Sequence, residues 1–263
     1  MGKAKRTYSL IGTVLILSLM GIGYYQFYQR TYLCTPYPFP AIQKQDSDSI
    51  ISIMIIGDSW GDLASQNRMP CTLDSIMLIH GVKTRTRAKG ENGATSREIY
   101  KNLFTEKKNT HSTSLLIEGN PQYAVVFCGM NDSHGQFGKA FYAYHTSLII
   151  QTLLHYHIKP ILLELPLYDI AQQYAHYTYT KRIIYKTLSL LTDGTTDIRN
   201  IKRYRTAMEE ELIKQGLYNR IKWISADSFY TENNLNDCMH LNKNGYQCLS
   251  QIIAKTILNE NRQ

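Results

Sequence analysis

Along this chain, apolar positions fall into patterns with different physical meanings. Residues 8–28, YSLIGTVLILSLMGIGYYQFY, run without a charged side chain. At a helical rise of ~1.5 Å per residue, ~20 residues cross a hydrocarbon layer ~30 Å thick. Shorter runs recur downstream: Ile50 to Ile56 before Gly57, Tyr123 to Cys128 before Gly129, Pro160 to Leu165, and Ile221 to Ile224. Their length and β-branched content predict strands buried on both faces. Val82 to Arg87 alternates with charges and predicts an edge strand. Helical patterns at about 95–106, 138–156, 169–190, 199–216 and 243–259 fall between the strands. Regular succession of strand and helix predicts an α/β sandwich with a parallel sheet. In such sheets, sites form beyond the carboxyl ends of strands, so a functional motif should directly follow a strand.

The N-terminal run sets the compartment. Tyr8 at one end and Tyr24, Tyr25 and Tyr28 at the other suit the two interfaces of a bilayer. Lys3-Ala4-Lys5-Arg6 precedes the span, so the positive-inside rule keeps the N-terminus cytoplasmic and everything from about Gln29 outside. A cleaved signal peptide would have a shorter apolar core and end at small residues; this segment ends in Tyr, Gln and Phe, which favours an uncleaved anchor. Thr31-Tyr32-Leu33 lacks the small residues that would make Cys34 a lipidation site. Pro36, Pro38 and Pro40, followed by polar residues to Asp48, predict an extended tether lifting the domain off the bilayer. The expected organisation is a cytoplasmic basic tail at 1–7, a transmembrane anchor at 8–28, a tether at 29–48 and a catalytic domain at 49–263.

Composition excludes several classes. At 263 residues, 43% hydrophobic and 19% charged, the chain can bury a sizeable core and is not mainly disordered. It has no fixed-period repeat, which argues against solenoids and propellers. The net charge of +8 is spread along the chain in short clusters such as Lys83 to Arg87 and Arg199 to Arg205, so nucleic acid is not the expected partner. Cys34, Cys71, Cys128, Cys238 and Cys248 form no C-x-x-C pair, and a metal cluster is unsupported. Cys128, inside an apolar run, reads as a buried thiol.

Four short blocks carry chemistry. Gly57-Asp58-Ser59-Trp60 follows the first strand and presents a hydroxyl at a helix start. With Gly61 it also satisfies G-x-S-x-G, but the nucleophile elbow of α/β-hydrolases follows several strands, whereas Ser59 lies about ten residues into the domain. Gly90 to Ser96 is a glycine-containing turn opening a helix, whose free N–H groups can face an anion. Gly129-Met130-Asn131-Asp132 follows the second strong strand. Asp237-Cys238-Met239-His240, read as a helical turn, puts carboxylate and imidazole on one face.

Together these blocks resemble the SGNH (GDSL-type) hydrolases, in family order and over about residues 50–258. The resemblance implies a flavodoxin-like three-layer α/β/α sandwich, here preceded by one N-terminal transmembrane helix. It implies no metal or other cofactor, and ester substrates on glycans, lipids or small molecules. Ser59 would be the nucleophile, His240 the general base and Asp237 its orienting acid. The oxyanion hole would combine the Ser59 and Gly93 N–H groups with the Asn131 side chain. Trp60 stands where the family has Leu and is expected to pack behind the nucleophile; with Asp132 and His134 it is also a candidate substrate contact. Asp58 and Asp132 read as organisers of their turns.

The remaining features have plainer readings. Tyr168, Tyr174, Tyr177, Tyr179 and Tyr185 suit amphipathic helix packing, with a platform for sugar rings as the rival. His155-Tyr156-His157 reads as a helix end, and Lys181-Arg182 as a solvated surface. The expectation is therefore an anchored extracytoplasmic serine esterase, acting chiefly on O-acetyl esters of envelope or capsular glycans. The alternatives are an O-acyltransferase on the same fold, a lipase or lysophospholipase-type esterase, and a non-enzymatic glycan-binding module.

Overall fold

The β-branched run after residue 50 becomes the heart of a five-stranded parallel sheet. The computed structural model describes residues 2–42, 50–168, 174–193 and 201–260. The strands are β1 (Ile51–Gly57), β2 (Thr84–Gly90), β3 (Tyr123–Phe127), β4 (Lys159–Leu163) and β5 (Lys222–Ile224). Their order is β2-β1-β3-β4-β5, with every neighbouring pair parallel. β3 is buried throughout and β1 over its last five residues, as their unbroken apolar runs require. The alternating, charged β2 lies at one edge, as expected.

The helices are α1 (Gly2–Thr31), α2 (Ser59–Gln66), α3 (Met69–Ile79), α4 (Ser96–Asn102), α5 (Ser114–Glu118), α6 (Met130–His134), α7 (Lys139–His155), α8 (Tyr179–Leu191), α9 (Lys202–Lys214) and α10 (Lys243–Glu260). α4 and α9 pack on α7, while α3 packs on α10, so helices cover the sheet in two groups. The architecture is the expected three-layer sandwich. Helix α3 was not anticipated: its apolar stretch Met69–Ile79 follows a turn, and Arg68 precedes it in left-handed backbone. The segment expected to be helical from 169 begins regular helix α8 only at Tyr179; residues 169–173, like 199–200 of the next expected helix, lie outside the described residues.

Helix α1 contains Leu10–Thr31, a stretch long and apolar enough to cross a membrane; a signal sequence would satisfy the same test. Its apolar side chains, such as Leu15, Ile16 and Leu19, are exposed rather than packed on the domain. The chain after it departs from the free tether that its prolines suggested. Residues 32–42 are extended but lie along α4 and α7, and residues 43–48 of the expected tether lie outside the described residues. The Cys34 N–H donates to His145 Nε2 at 3.3 Å, and the Cys34 carbonyl accepts from Tyr144 Oη at 3.0 Å. The Tyr37 N–H donates to Tyr100 Oη, Tyr156 Oη donates to the Pro40 carbonyl, and Phe39 stacks on His155 at 3.9 Å. Proline removes backbone donors and holds the segment extended, and that extended form lets its aromatic side chains fill a groove between helices. The segment straps the end of α1 to the domain.

Candidate active site

Strand register brings three of the four blocks to one level. Gly57 pairs with Gly90 on one side and with Phe127 on the other, so β1, β2 and β3 end side by side. Glycine is required at two of these ends. A Cβ at Gly57 would lie 2.4 Å from the Phe127 carbonyl oxygen, and one at Gly90 would lie 2.3 Å from the Asp62 nitrogen and 2.4 Å from the Asp58 oxygen. Gly90, present in the second block as part of a turn, thus ends a strand and lets the start of α2 sit against it. Sequence reasoning passed over this role.

Ser59 is the first residue of α2, with Asp58 as N-cap accepting the Trp60 N–H at 3.0 Å. The Ser59 hydroxyl lies 3.2 Å from His240 Nε2. On the other side of the ring, His240 Nδ1 lies 2.8 Å and 3.1 Å from the two oxygens of Asp237. The Asp237–His240 segment is not the helical turn expected from its spacing. It is a bent loop, closed by the Leu235–Leu241 bridge, in which Asp237 Oδ1 accepts the N–H groups of Met239 and His240 at 2.7 Å each. Aspartate readily folds back on the next N–H groups in this way, and it reaches the same convergence without a helix. Burial pushes the Asp237 carboxyl up, but bonds from the His240 ring and the two N–H groups outweigh it, leaving its pKa below the usual value.

The second and third blocks are clamped to each other. Asn131 Nδ2 donates to the Ala94 carbonyl at 2.9 Å, which orients the amide and leaves its second N–H free to donate. Asp132 is buried and accepts the Ser96 N–H at 2.9 Å and the Ser96 hydroxyl. Directly before these ties in the chain lies Gly93, with a left-handed φ of +81° that admits glycine readily. The loop carrying Gly93 is thereby fixed to α6, which carries Asn131. Burial pushes the carboxyls of Asp58 and Asp132 up to about 7 each, despite the N–H bonds that each accepts.

Two expected substrate contacts require correction. Trp60 is 3% exposed and Asp132 is fully buried, so neither side chain stands open to solvent. Trp60 instead joins the first block to the last. Its indole N–H donates to the Met239 carbonyl at 3.0 Å, its ring stacks on Tyr230, and its own carbonyl accepts from Tyr246 Oη. His134 is partly buried among Tyr174, Tyr177 and Tyr185, with Nε2 3.0 Å from the Tyr177 hydroxyl. Burial and the Lys181 charge hold its pKa below the usual value. A depression of about 440 Å³ flanks Asp237, lined by Leu167, Tyr168, Tyr230, Glu232, Leu235 and Asn236. Among the described residues, no group of three or more His, Cys, Asp or Glu gathers as metal ligands, and the five cysteines form no disulfide. A hydroxyl, an imidazole and a carboxylate linked in that order form an arrangement suited to acyl transfer through serine.

No protein-family model matches the chain, and the search of curated proteins found no match. Solved structures do resemble it. The psychrotrophic esterase EstA from Pseudoalteromonas sp., described as inhibited by monoethylphosphonate, superposes with a TM-score of 0.55 at 14% identity, covering 82% of this chain and all of that one (100%). The acetyl xylan esterase AlAXEase gives 0.54 at 15% identity, with 79% and 100% covered. At such identity the likeness establishes the fold alone, a three-layer α/β/α sandwich on a parallel sheet.

Proposed function

We propose that this chain is a serine ester hydrolase held at a membrane, with Ser59, His240 and Asp237 as its catalytic groups. The observation that carries the reading is the continuous line from the Ser59 hydroxyl to His240 Nε2, and from Nδ1 to Asp237. In this reading His240 takes the Ser59 proton as the oxygen attacks an acyl carbonyl, and Asp237 stabilises the imidazolium that results. The developing oxyanion is met by the N–H groups of Ser59 and Gly93 and by Asn131 Nδ2. His240 then protonates the leaving alcohol, and a water molecule activated by the same ring releases the acid from Ser59. Trp60 and Asp132 act as positioning residues beneath the site, the first holding the His240 loop and the second the Gly93 loop.

The substrate proposed is an O-acetyl ester on an extracytoplasmic glycan. The apolar α1, preceded by basic residues, supports an uncleaved anchor with the domain outside. The resemblance to a protein named as an acetyl xylan esterase agrees with this in kind. The test is to supply the full chain in detergent micelles with p-nitrophenyl esters of increasing acyl length and with acetylated xylan. Fastest turnover of the acetyl ester, with free acetate released from the polysaccharide, is the expected result. Preference for long acyl chains would move the assignment to lipid esters, and acetyl transfer to an added glycan without free acetate would make the chain a transferase.

A further inference from the structure

Helix α8 carries its apolar residues on the wrong side for a core helix. At about 100° per residue, Tyr179, Leu190, Ile183, Leu191 and Ile184 fall within one arc of roughly 140°. All five side chains are exposed, from 48% for Ile183 to 79% for Tyr179. Thr180 and Thr187 share the arc, and no charged residue interrupts it. The opposite face, with Leu188, Ser189 and Tyr185, turns toward the domain. The helix is basic throughout: Lys181, Arg182 and Lys186 are its charged residues, and it has no acid.

The position of α8 gives this face a neighbour. The Thr192 hydroxyl, at the end of α8, donates to the Gln136 carbonyl at 2.9 Å, and a Cβ on Gly138 would collide with the Thr192 carbonyl oxygen. The same short loop holds the end of α1: Arg30 Nε donates to the Gly135 carbonyl at 3.0 Å, and the guanidinium lies over the Phe137 ring at 5.2 Å. Arg97 also accepts α1 into the domain by donating to the carbonyls of Gln29 and Tyr32. Residues 135–138 therefore join the exit of the apolar helix to the end of α8. They directly follow α6, whose Asn131 belongs to the candidate site.

We infer that α8 is a second membrane contact, with its outward apolar face in the interfacial region of a bilayer and its basic residues on anionic headgroups. Lys186 borders the face beside Tyr179, while Lys181, over the Tyr177 ring at 3.5 Å, and Arg182, donating to the Tyr177 and Ala175 carbonyls, stand exposed about 60° beyond its two edges. An apolar face with only basic charges around it is the composition of helices that lie in the interface plane. The contact is continuous with α1, and it sets the catalytic mouth close to the lipid surface at a fixed tilt. Ester groups borne near that surface are then the ones within reach.

The test uses the full chain reconstituted in vesicles of brominated phosphatidylglycerol and phosphatidylcholine in equal parts. Tryptophan replaces an exposed residue in turn: Ile183→Trp and Leu190→Trp on α8, and Ile79→Trp on α3, a position 82% exposed. After subtraction of the wild-type signal, the two α8 probes should shift to shorter wavelength and be quenched by the brominated lipid, whereas the α3 probe should keep its emission. Replacing Lys181, Arg182 and Lys186 together by Gln should weaken the quenching of Ile183→Trp. Equal emission from the α8 and α3 probes overturns the proposal, as does cross-linking of α8 to a second copy of the chain in place of quenching. Quenching unaffected by the triple Gln change overturns the headgroup assignment. Ester hydrolysis plays no part in these readouts, so this inference and the proposed activity fail separately.

Discussion

Replacing Trp60 by Phe tests whether the last block is held in place from beneath. The smaller ring keeps aromatic contact with Tyr230 and Phe127 but loses the indole N–H that donates to the Met239 carbonyl. An unsatisfied buried carbonyl costs about 1–3 kcal/mol, and the void left by the lost ring costs about 1 kcal/mol more. For a domain of this size, a total of about 2–4 kcal/mol lowers Tm by about 5–15 °C. Met239 lies between Asp237 and His240, so its release also loosens the imidazole relative to Ser59. Misplacement by an ångström costs up to ~10²-fold in rate. The assay is the rate of fluorophosphonate labelling of the full chain, read well below the lowered Tm and compared with Leu212→Ala. Leu212 is fully buried in α9, in the other helical layer, and its truncation costs about 2–5 kcal/mol by cavity formation. Trp60→Phe should label ~10–100-fold more slowly, while Leu212→Ala labels at the wild-type rate. Equal labelling by the two variants would refute the clamp and leave Trp60 as a packing residue.

Other consequences are open to direct measurement. Asn131→Ala should lower ester turnover by about 10²–10³-fold with little change in substrate affinity, since the amide acts on the developing oxyanion; a change confined to KM would contradict that role. Gly90→Ala should displace the start of α2, because the new Cβ meets the Asp62 nitrogen and the Asp58 oxygen, and should slow Ser59 labelling; wild-type labelling would show that the backbone yields without cost. Asp58, buried and raised to about 7 from 3.8, keeps its proton in the folded chain at pH values where the unfolded chain has lost it. Its contribution is therefore fully present below about pH 4 and is lost as pH rises toward 7, with about three pH units at ~1.4 kcal/mol each setting an upper bound of ~4 kcal/mol. The urea midpoint should fall between pH 4.5 and 7.5 and fall less in Asp58→Asn; a rising midpoint would contradict the assignment.

Much of this arrangement is legible in the chain because burial writes itself into local pattern. Runs such as Ile53 to Ile56 have only one way to hide their side chains, and the parallel sheet follows from them. Three of the four blocks are readable for a related reason, since each directly follows the end of a strand. What escaped is what depends on partners far away in sequence. The Asp237 turn shares its spacing with a helix, and only the closure between Leu235 and Leu241 distinguishes the two. Trp60 looks like a contact residue until Met239, 179 positions later, supplies the acceptor. The proline-rich segment carries the composition of a linker, yet Cys34, Tyr37 and Phe39 find partners on α4 and α7 that no local pattern announces. In α8, the tyrosine pattern suggests amphipathic packing but says nothing about which way the apolar residues Ile183, Ile184, Leu190 and Leu191 point.

The most direct test of the account is to treat the folded full chain with a fluorophosphonate and locate the adduct by peptide mass spectrometry. A single adduct on the peptide containing Ser59, absent in Ser59→Ala and strongly slowed in Asp237→Asn, is the predicted result. A folded chain that takes no label, or that carries it on another serine, would contradict the central claim that Ser59 is activated by His240.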